Sequence, residues 1–142
     1  MKEYVTHSKE ETVELGRQTA KKLSAGDIVF FKGGLGMGKT AFTQGLCDGL
    51  GINATVTSPT FAIVNEFHHR PVSLYHFDMY RIENEDQLFN TGFYDYLDSD
   101  GVLAIEWSEN IEEFFNEPTV TVTFEKLGET DRKIKIEGAG EE

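Results

Sequence analysis

The sequence contains a single cysteine, Cys47, which has no second thiol to pair with. An internal disulfide and a cysteine zinc site are therefore excluded. Basic residues are also few, because 13 lysines and arginines stand against 25 acidic residues and the formal net charge is −12. Such a surface repels phosphate backbones, so we expect no tight direct binding to nucleic acid.

Long apolar runs are missing as well. No stretch approaches the roughly 20 residues that a membrane-spanning helix needs. The first residues lack the apolar segment of a signal peptide, so we expect a cytoplasmic protein with no membrane contact. The length of 142 residues and the hydrophobic content of 39% predict one globular domain, which we place over residues 1–142.

The most informative segment is the octet Gly-Gly-Leu-Gly-Met-Gly-Lys-Thr at residues 33–40. It fits the phosphate-loop pattern G-x-x-x-x-G-K-[ST], with Gly33, Gly38, Lys39 and Thr40 at the fixed positions. Glycines let successive backbone N–H groups turn toward phosphate oxygens. The pattern assigns the Lys39 ammonium to the β- and γ-phosphates and the Thr40 hydroxyl to Mg²⁺.

The flanking sequence supplies the context that this pattern requires. Residues 27–31 form a short apolar run typical of a β-strand, and Phe42, Leu46 and Leu50 follow at helical spacing. The dinucleotide fingerprint G-x-G-x-x-G is not satisfied, because Lys39 stands where its last glycine would be. The nucleotide is expected to contact Gly33, Leu35, Gly36, Met37, Gly38, Lys39, Thr40 and Ala41.

Strands and helices alternate along the rest of the chain. A capping box at residues 8–11 begins a helix. Further helices are predicted over residues 41–50, 85–97 and 109–115, and strands over 2–7, 61–68, 72–78, 102–105, 119–124 and 132–136. A phosphate loop after an early strand, together with two hairpins, predicts an α/β fold of three layers. This fold resembles that of P-loop NTPases, with a mixed sheet and helices on both faces.

Hydrolysis of a nucleotide also needs acidic groups near the phosphates. Glu106 follows the apolar run at residues 102–105, and Asp78 follows the strand at 72–78. We predict that Lys39, Asp78 and Glu106 are catalytic, because the carboxyl ends of such strands border the ligand site. One acid would hold Mg²⁺ and the other would orient the attacking water, and the pattern leaves their roles open.

Several other residues could also belong to the nucleotide site, and two of these assignments leave an alternative open. Ser58 and Thr60 flank a proline in a segment that is either a switch loop sensing the γ-phosphate or an ordinary turn. Trp107 is either a core residue or a lid over the nucleotide. His76 shares a strand face with Asp78, and we interpret it as a buried structural histidine. No Asn-Lys-x-Asp stretch occurs, which favours ATP over GTP.

Four blocks of the sequence together resemble the TsaE family, bacterial ATPases required to make threonylcarbamoyladenosine in tRNA. The blocks are residues 33–40, Ser-Pro-Thr-Phe at 58–61, His-Phe-Asp-Met-Tyr-Arg at 76–81 and Ile-Glu-Trp at 105–107. The resemblance extends from about Ser8 to Ile136. It implies a P-loop ATPase that is weak in isolation and works with the TsaB and TsaD subunits, TsaD being the one that transfers the threonylcarbamoyl group.

The resemblance also implies roles for single residues. Positions matching Lys39 and Thr40 bind phosphate and Mg²⁺, the position matching Glu106 ligates Mg²⁺, and the position matching Asp78 is needed for hydrolysis. An arginine matching Arg132 lies near the nucleotide. Thr40 and Glu106 are thus the expected metal ligands, and ATP and Mg²⁺ the expected cofactors.

Two positions depart from the family, which usually has Asp at the place of Gly34 and Ala at the place of Met37. Both are variable positions of the phosphate-loop pattern, so nucleotide binding should survive. A nucleotide-sensing module without required turnover therefore stays an alternative. A small-molecule kinase is a further alternative, although such enzymes close an arginine-rich lid and the four arginines of this chain are widely spread.

Overall fold

The computed structural model describes residues 1–33, 38–57 and 63–138, which form a seven-stranded mixed β-sheet with flanking helices. The strands are β1 (Lys2–Thr6), β2 (Ile28–Lys32), β3 (Val64–Phe67), β4 (Ser73–Asp78), β5 (Gly101–Glu106), β6 (Val120–Lys126) and β7 (Arg132–Gly138). The helices are α1 (Lys9–Ala20), α2 (Lys39–Gly49), α3 (Glu85–Asn90) and α4 (Phe93–Tyr96), with a 3₁₀ helix at Ser108–Asn110. No helix within these ranges is long and apolar enough to span a membrane.

The strand order across the sheet is β1-β7-β6-β2-β5-β4-β3. Strand β2 is parallel to both β5 and β6, and β4 is parallel to β5. The pairs β1–β7, β6–β7 and β3–β4 are antiparallel, which confirms the predicted mixed sheet and both hairpins. Because β2, β4 and β5 run the same way, their carboxyl ends lie at one edge of the sheet.

Alternation along β2 divides the core between the two faces of the sheet. Val29 and Phe31 belong to the apolar cluster that includes Phe42 of α2, whereas Ile28 and Phe30 belong to the cluster that includes Phe93 of α4. Helices therefore cover both faces, and the predicted three-layer α/β architecture is confirmed. All four of these β2 side chains are buried, as expected for a central parallel strand.

Two glycines bring α1 and α2 into backbone contact. A Cβ added at Gly45 would lie 2.0 Å from the carbonyl oxygen of Val13, and one added at Gly16 would lie 2.3 Å from that of Phe42. No side chain fits in either place, so the helices can approach closely only because both residues are glycine. This contact fixes α2, whose first turn carries Lys39 and Thr40.

The predicted helix over 85–97 is wrong as a single element. It is divided into α3 and α4, because Gly92 adopts a left-handed φ of 81° at the start of α4. A right-handed helix cannot continue through that conformation. The apolar spacing on both sides of Gly92 is nevertheless helical, which is why the sequence pattern suggested one helix.

The predicted helix over 109–115 is also wrong, since only the 3₁₀ turn at Ser108–Asn110 forms. The side-chain amide of Asn110 donates to the carbonyl oxygens of Met79 and Tyr80 at 2.9 and 3.1 Å. Trp107 precedes the turn with a left-handed φ of 58°. The 3₁₀ turn is therefore hydrogen-bonded to the residues that follow β4.

Replacing Gly45 by alanine should destabilise the protein, because the new methyl group would meet the α1 backbone at less than contact distance. Overpacking of this kind costs about 1–3 kcal/mol of unfolding free energy, which urea denaturation would measure. The control is Gly128→Ala, because a Cβ there has no neighbour within 4 Å. Equal unfolding free energies of the two variants would show that the close α1–α2 contact does not limit the stability of the protein.

Candidate functional site

The predicted acids lie side by side at the carboxyl edge of the sheet. Asp78 ends β4 and Glu106 ends β5, and the two residues are paired in the parallel register. Leu74 on β4 and Ala104 on β5 pack in the cluster that contains α2 residues. Since side chains alternate along a strand, Asp78 and Glu106 share this face of the sheet. They therefore lie on the side from which α2 begins.

Lys39 is a buried cation in the first turn of α2. It is 6% exposed, and its Nζ lies 5.2 Å from the centroid of the Trp107 ring. Within the described ranges no carboxylate forms an ion pair with it. A buried charge is costly without a counter-charge. This lysine is therefore suited to receive an anion, as the phosphate-loop pattern predicts.

The carboxylate of Glu106 is hydrogen-bonded to a buried histidine. The side chain of Glu106 is nearly buried, and its Oε2 lies 2.5 Å from Nε2 of the fully buried His76. A carboxylate only accepts hydrogen bonds, so the imidazole donates. The sequence pattern had placed His76 on the face of Asp78 without linking it to Glu106. That link depends on the β4–β5 register.

Asp78 is half-buried, and burial is the main cause that raises the pKa of its carboxyl group. The Tyr80 N–H, which donates to its Oδ1 at 2.9 Å, acts in the opposite direction. The negative charge of Glu106 raises the pKa further, whereas His76 and the Lys39 ammonium lower it. The carboxyl group is therefore destabilised in its charged form until a further cation arrives.

The oxygen atoms at this edge fit Mg²⁺. Carboxylates and hydroxyls are the hard ligands that Mg²⁺ prefers, and Asp78, Glu106 and Thr40 provide them. No group of three or more His, Cys, Asp or Glu residues arranged to hold a metal occurs in the described part of the chain.

The two ends of the glycine-rich segment have backbone conformations that favour glycine. Gly33 directly follows β2 with a φ of 127°, and Gly38 precedes α2 with a φ of 98°. A Cβ at Gly33 would lie 2.7 Å from the carbonyl oxygen of Phe124. A side chain at either point would be strained by the positive φ, and at Gly33 it would also meet the backbone of Phe124.

Arg132 and the first turn of α1 flank this segment. A Cβ at Gly38 would lie 3.6 Å from Cγ2 of Thr12 and 3.9 Å from Cγ of Arg132. The Nη1 of Arg132 donates to the carbonyl oxygens of Gly128 and Glu129 at 3.0 and 3.2 Å. Arg132 thus lies beside Gly38, and its guanidinium bonds to the carbonyl oxygens of the β6–β7 turn.

Trp107 packs partly against the core and also lies over Lys39, while its predicted role as a lid over a nucleotide stays a prediction. Its ring packs against the core cluster on the α4 side of the sheet, contacts the ring of Tyr80 at 5.0 Å between centroids and covers Lys39. A left-handed φ is uncommon for a bulky residue. Such strain is found preferentially at functional sites, and here it accompanies a ring that lies over the buried cation.

The structure thus brings Lys39, Thr40, Asp78, Glu106, Trp107 and Arg132 to one region around the start of α2, and Ala41 is buried in the same first turn. Leu35, Gly36 and Met37 lie outside the described residues, as do Ser58 and Thr60. Their predicted nucleotide contacts stay predictions.

Comparison with known proteins shows one family over nearly the whole chain. The family model described as threonylcarbamoyl adenosine biosynthesis protein TsaE matches residues 6–134. The tRNA threonylcarbamoyladenosine biosynthesis protein TsaE of Bacillus subtilis is 36% identical, over 95% of this chain and 84% of its own length. That of Treponema pallidum is also 36% identical, over 93% and 97%. The crystal structure of Bacillus subtilis YdiB superposes with a TM-score of 0.78 at 31% identity, covering 98% of this chain and 86% of YdiB.

Replacing Asp78 by asparagine should stabilise the ligand-free protein at neutral pH. The amide oxygen can still accept the Tyr80 N–H, while the charge that burial and Glu106 disfavour is removed. A carboxyl whose pKa is raised by folding contributes stability below its unfolded value, here 3.8, and loses it as the pH rises through the folded value. The gain should therefore be absent in acid and complete at neutral pH.

Urea denaturation at both pH values would measure this gain. The exposed Glu125 provides the control, because Glu125→Gln removes one negative charge from the same acidic protein without relieving burial. An equal gain in both variants would attribute the effect to net charge. A loss of stability in Asp78→Asn at neutral pH would contradict the prediction.

Proposed function

The chain belongs to the TsaE family of threonylcarbamoyl adenosine biosynthesis proteins, and from this premise we propose that it is an ATP hydrolase acting in the modification of tRNA to threonylcarbamoyladenosine. Its partners in this proposal are the TsaB and TsaD subunits, and its cofactors are ATP and Mg²⁺. The observation that carries the proposal is the buried Lys39 ammonium, which lies on the α2 side of the sheet with Asp78 and Glu106.

Lys39 and the N-terminus of α2 form the anion-binding part of the site. The first N–H groups of a helix have no partner within the helix and carry partial positive charge. Together with the Lys39 ammonium they would bind the β- and γ-phosphates of ATP. Trp107 lies over Lys39 and would keep water away from that contact, which strengthens the electrostatic attraction.

Glu106 and the Thr40 hydroxyl are the residues that would hold Mg²⁺. The bound ion would neutralise the charge that develops on the phosphate oxygens during transfer to water. Glu106 is suited to this role because one of its oxygens is already fixed by His76. Arg132, beside Gly38, would contribute positive charge from the opposite side of the segment.

Asp78 is assigned to the attacking water. Its carboxylate lies next to Glu106, and its raised pKa makes it a better proton acceptor than an ordinary aspartate. In the proposed step the water oxygen attacks the γ-phosphorus and the bond to the ADP oxygen breaks. Asp78 accepts a proton from the water and returns it to the inorganic phosphate that forms, so that the carboxylate is regenerated. The threonylcarbamoyl group that is transferred to tRNA takes no part in this hydrolysis step. Hydrolysis would therefore regulate or reset the complex and would not supply the transferred group.

The acidic surface suits this division of labour. A net charge of −12 opposes direct binding to tRNA, so in this proposal the partner subunits hold the RNA in the cytoplasm. Electrostatic attraction to basic partner surfaces would speed association with them.

Replacing Lys39 by alanine should lower ATP hydrolysis by at least about 100-fold, the typical loss when one charge-stabilising donor is removed. Lys32→Ala is the matched control, because Lys32 ends β2 and is paired with Glu112 at 2.7 Å. Turnover is measured by phosphate release with TsaB and TsaD present. Full activity in Lys39→Ala, or an equal loss in Lys32→Ala, would contradict the proposed site.

Asp78→Asn separates turnover from nucleotide sensing. The variant should bind ATP with nearly unchanged affinity, measured by calorimetry, while hydrolysis and threonylcarbamoyladenosine formation in the reconstituted system both fall. If modification continued at the normal rate without hydrolysis, the protein would be a nucleotide sensor and the ATPase role would be lost.

ATP binding should change the fluorescence of Trp107, which is the single tryptophan of the chain. Its ring lies on Lys39, so a phosphate that draws the ammonium away alters the environment of the indole. We expect a change with ATP and Mg²⁺ and little change with GTP. Lys39→Ala provides the control, because it removes the contact. A flat signal with ATP, in protein that calorimetry shows to be bound, would place Trp107 outside the site.

A further inference from the structure

We propose that His76 positions Glu106 for Mg²⁺ binding, an inference that rests on the proposed function. His76 has no solvent exposure, and its Nε2 lies 2.5 Å from Oε2 of Glu106. Its other ring nitrogen, Nδ1, has no hydrogen-bond partner within the described residues. Within the described residues, Glu106 is therefore the hydrogen-bond partner of the His76 ring.

The β4–β5 register explains how the imidazole reaches Glu106. His76 is opposite Ala104, and Asp78 is opposite Glu106. All four side chains lie on the α2 face, because His76 and Asp78 on β4, and Ala104 and Glu106 on β5, are two positions apart and side chains alternate along a strand. His76 is therefore next to the small Ala104 side chain, and its Nε2 reaches Glu106, the following residue of β5 on that face.

The hydrogen bond assigns different tasks to the two oxygens of Glu106. Oε2 accepts the imidazole N–H, which restrains rotation of the carboxylate and leaves Oε1 for the metal. Hydrogen-bonding partners of metal-ligating side chains typically contribute 10- to 100-fold to metal affinity. His76 is a positioning residue in this account, since it acts on the ion through Glu106.

Two substitutions test this role because they place an amide nitrogen at different points. In His76→Gln the amide nitrogen falls near the position of Nε2 and can donate to Glu106. In His76→Asn it falls near the position of Nδ1 and cannot reach Glu106. Both variants keep a polar group at the same buried position, so they are matched for the cost of burying it.

Mn²⁺ serves as the spectroscopic probe in place of Mg²⁺. Electron paramagnetic resonance measures free Mn²⁺ in the presence of the protein and a non-hydrolysable ATP analogue, and calorimetry measures binding of the same analogue in EDTA. We expect His76→Asn to weaken Mn²⁺ binding by about 10-fold or more and His76→Gln to stay within about threefold of the wild type. Nucleotide binding in EDTA should be the same for all three proteins.

The outcomes separate this inference from the proposed function. Wild-type Mn²⁺ affinity in His76→Asn would overturn the inference and leave the function intact. An equal loss of Mn²⁺ affinity in His76→Asn and His76→Gln would also overturn the inference, because the position of the side-chain amide nitrogen would then make no difference. A wild-type protein that binds no analogue even in EDTA would overturn the proposed function, and the inference with it.

A measurement on the wild type covers the case in which the His76 variants do not fold. Nitrogen-15 NMR of the imidazole should show the proton on Nε2, protected from exchange with water by burial. The Nε2–H resonance should shift when the analogue is added with Mg²⁺ and stay nearly unchanged when it is added with EDTA. A proton on Nδ1 alone, or a resonance insensitive to Mg²⁺, would overturn the inference.

Discussion

The charges at the carboxyl edge of the sheet compensate one another only in part, because the Lys39 ammonium lowers the pKa of Asp78 while burial and Glu106 raise it. Lys39 is buried and forms no ion pair within the described residues. On the same side of the sheet, burial and, to a smaller extent, the negative charge of Glu106 raise the pKa of the Asp78 carboxyl group. A nucleotide phosphate would neutralise the lysine, and a divalent cation would neutralise the acids. Each would relieve the unfavourable electrostatics that the other leaves, so their binding should be mutually favourable.

Burying these charged groups costs stability, and the rest of the fold provides the rigidity that keeps them in place. The Gly16 and Gly45 contacts bind α2 to α1 through backbone atoms, which leaves little freedom for the first turn of α2. On the opposite side, Asn110 binds the carbonyl oxygens at the end of β4. The charged groups are therefore fixed from both sides of the sheet, which is the form of preorganisation that electrostatic catalysis requires.

Much of the fold follows from local sequence patterns. The apolar run ending at Phe31, the alternating hairpin around Gly128 and the continuous apolar residues before Glu106 each predicted a strand that the structure contains. Gly92 divided a predicted helix, because the choice of a left-handed conformation at one glycine depends on how the flanking turns pack. Residues 109–115 failed to form a helix for a similar reason, since the amide of Asn110 bonds to the carbonyl oxygens of Met79 and Tyr80, which follow β4.

The site was predictable in its residue types and less so in its connections. The phosphate-loop pattern singled out Lys39 and the ends of two strands singled out Asp78 and Glu106, and the structure places the three residues on one side of the sheet. The contact between His76 and Glu106 joins residues 30 positions apart, and it depends on which strands are neighbours and in what register. A pattern of period two shows that His76 and Asp78 share a face, but it carries no information about the strand beside them. Trp107 over Lys39 depends likewise on a backbone conformation that residue type does not specify.

The global charge and the local site therefore have opposite electrostatic roles. At physiological salt, fields from exposed charges decay over about 8 Å, so the acidic surface affects partner choice more than it affects a buried lysine. A phosphate group at Lys39 would interact chiefly with the first turn of α2, the ammonium and any bound cation, all of which are partly shielded from solvent. If the proposed function holds, the acidic protein would in this way keep RNA from its surface and still attract the triphosphate of a single nucleotide, because the two ligands would respond to fields at different distances.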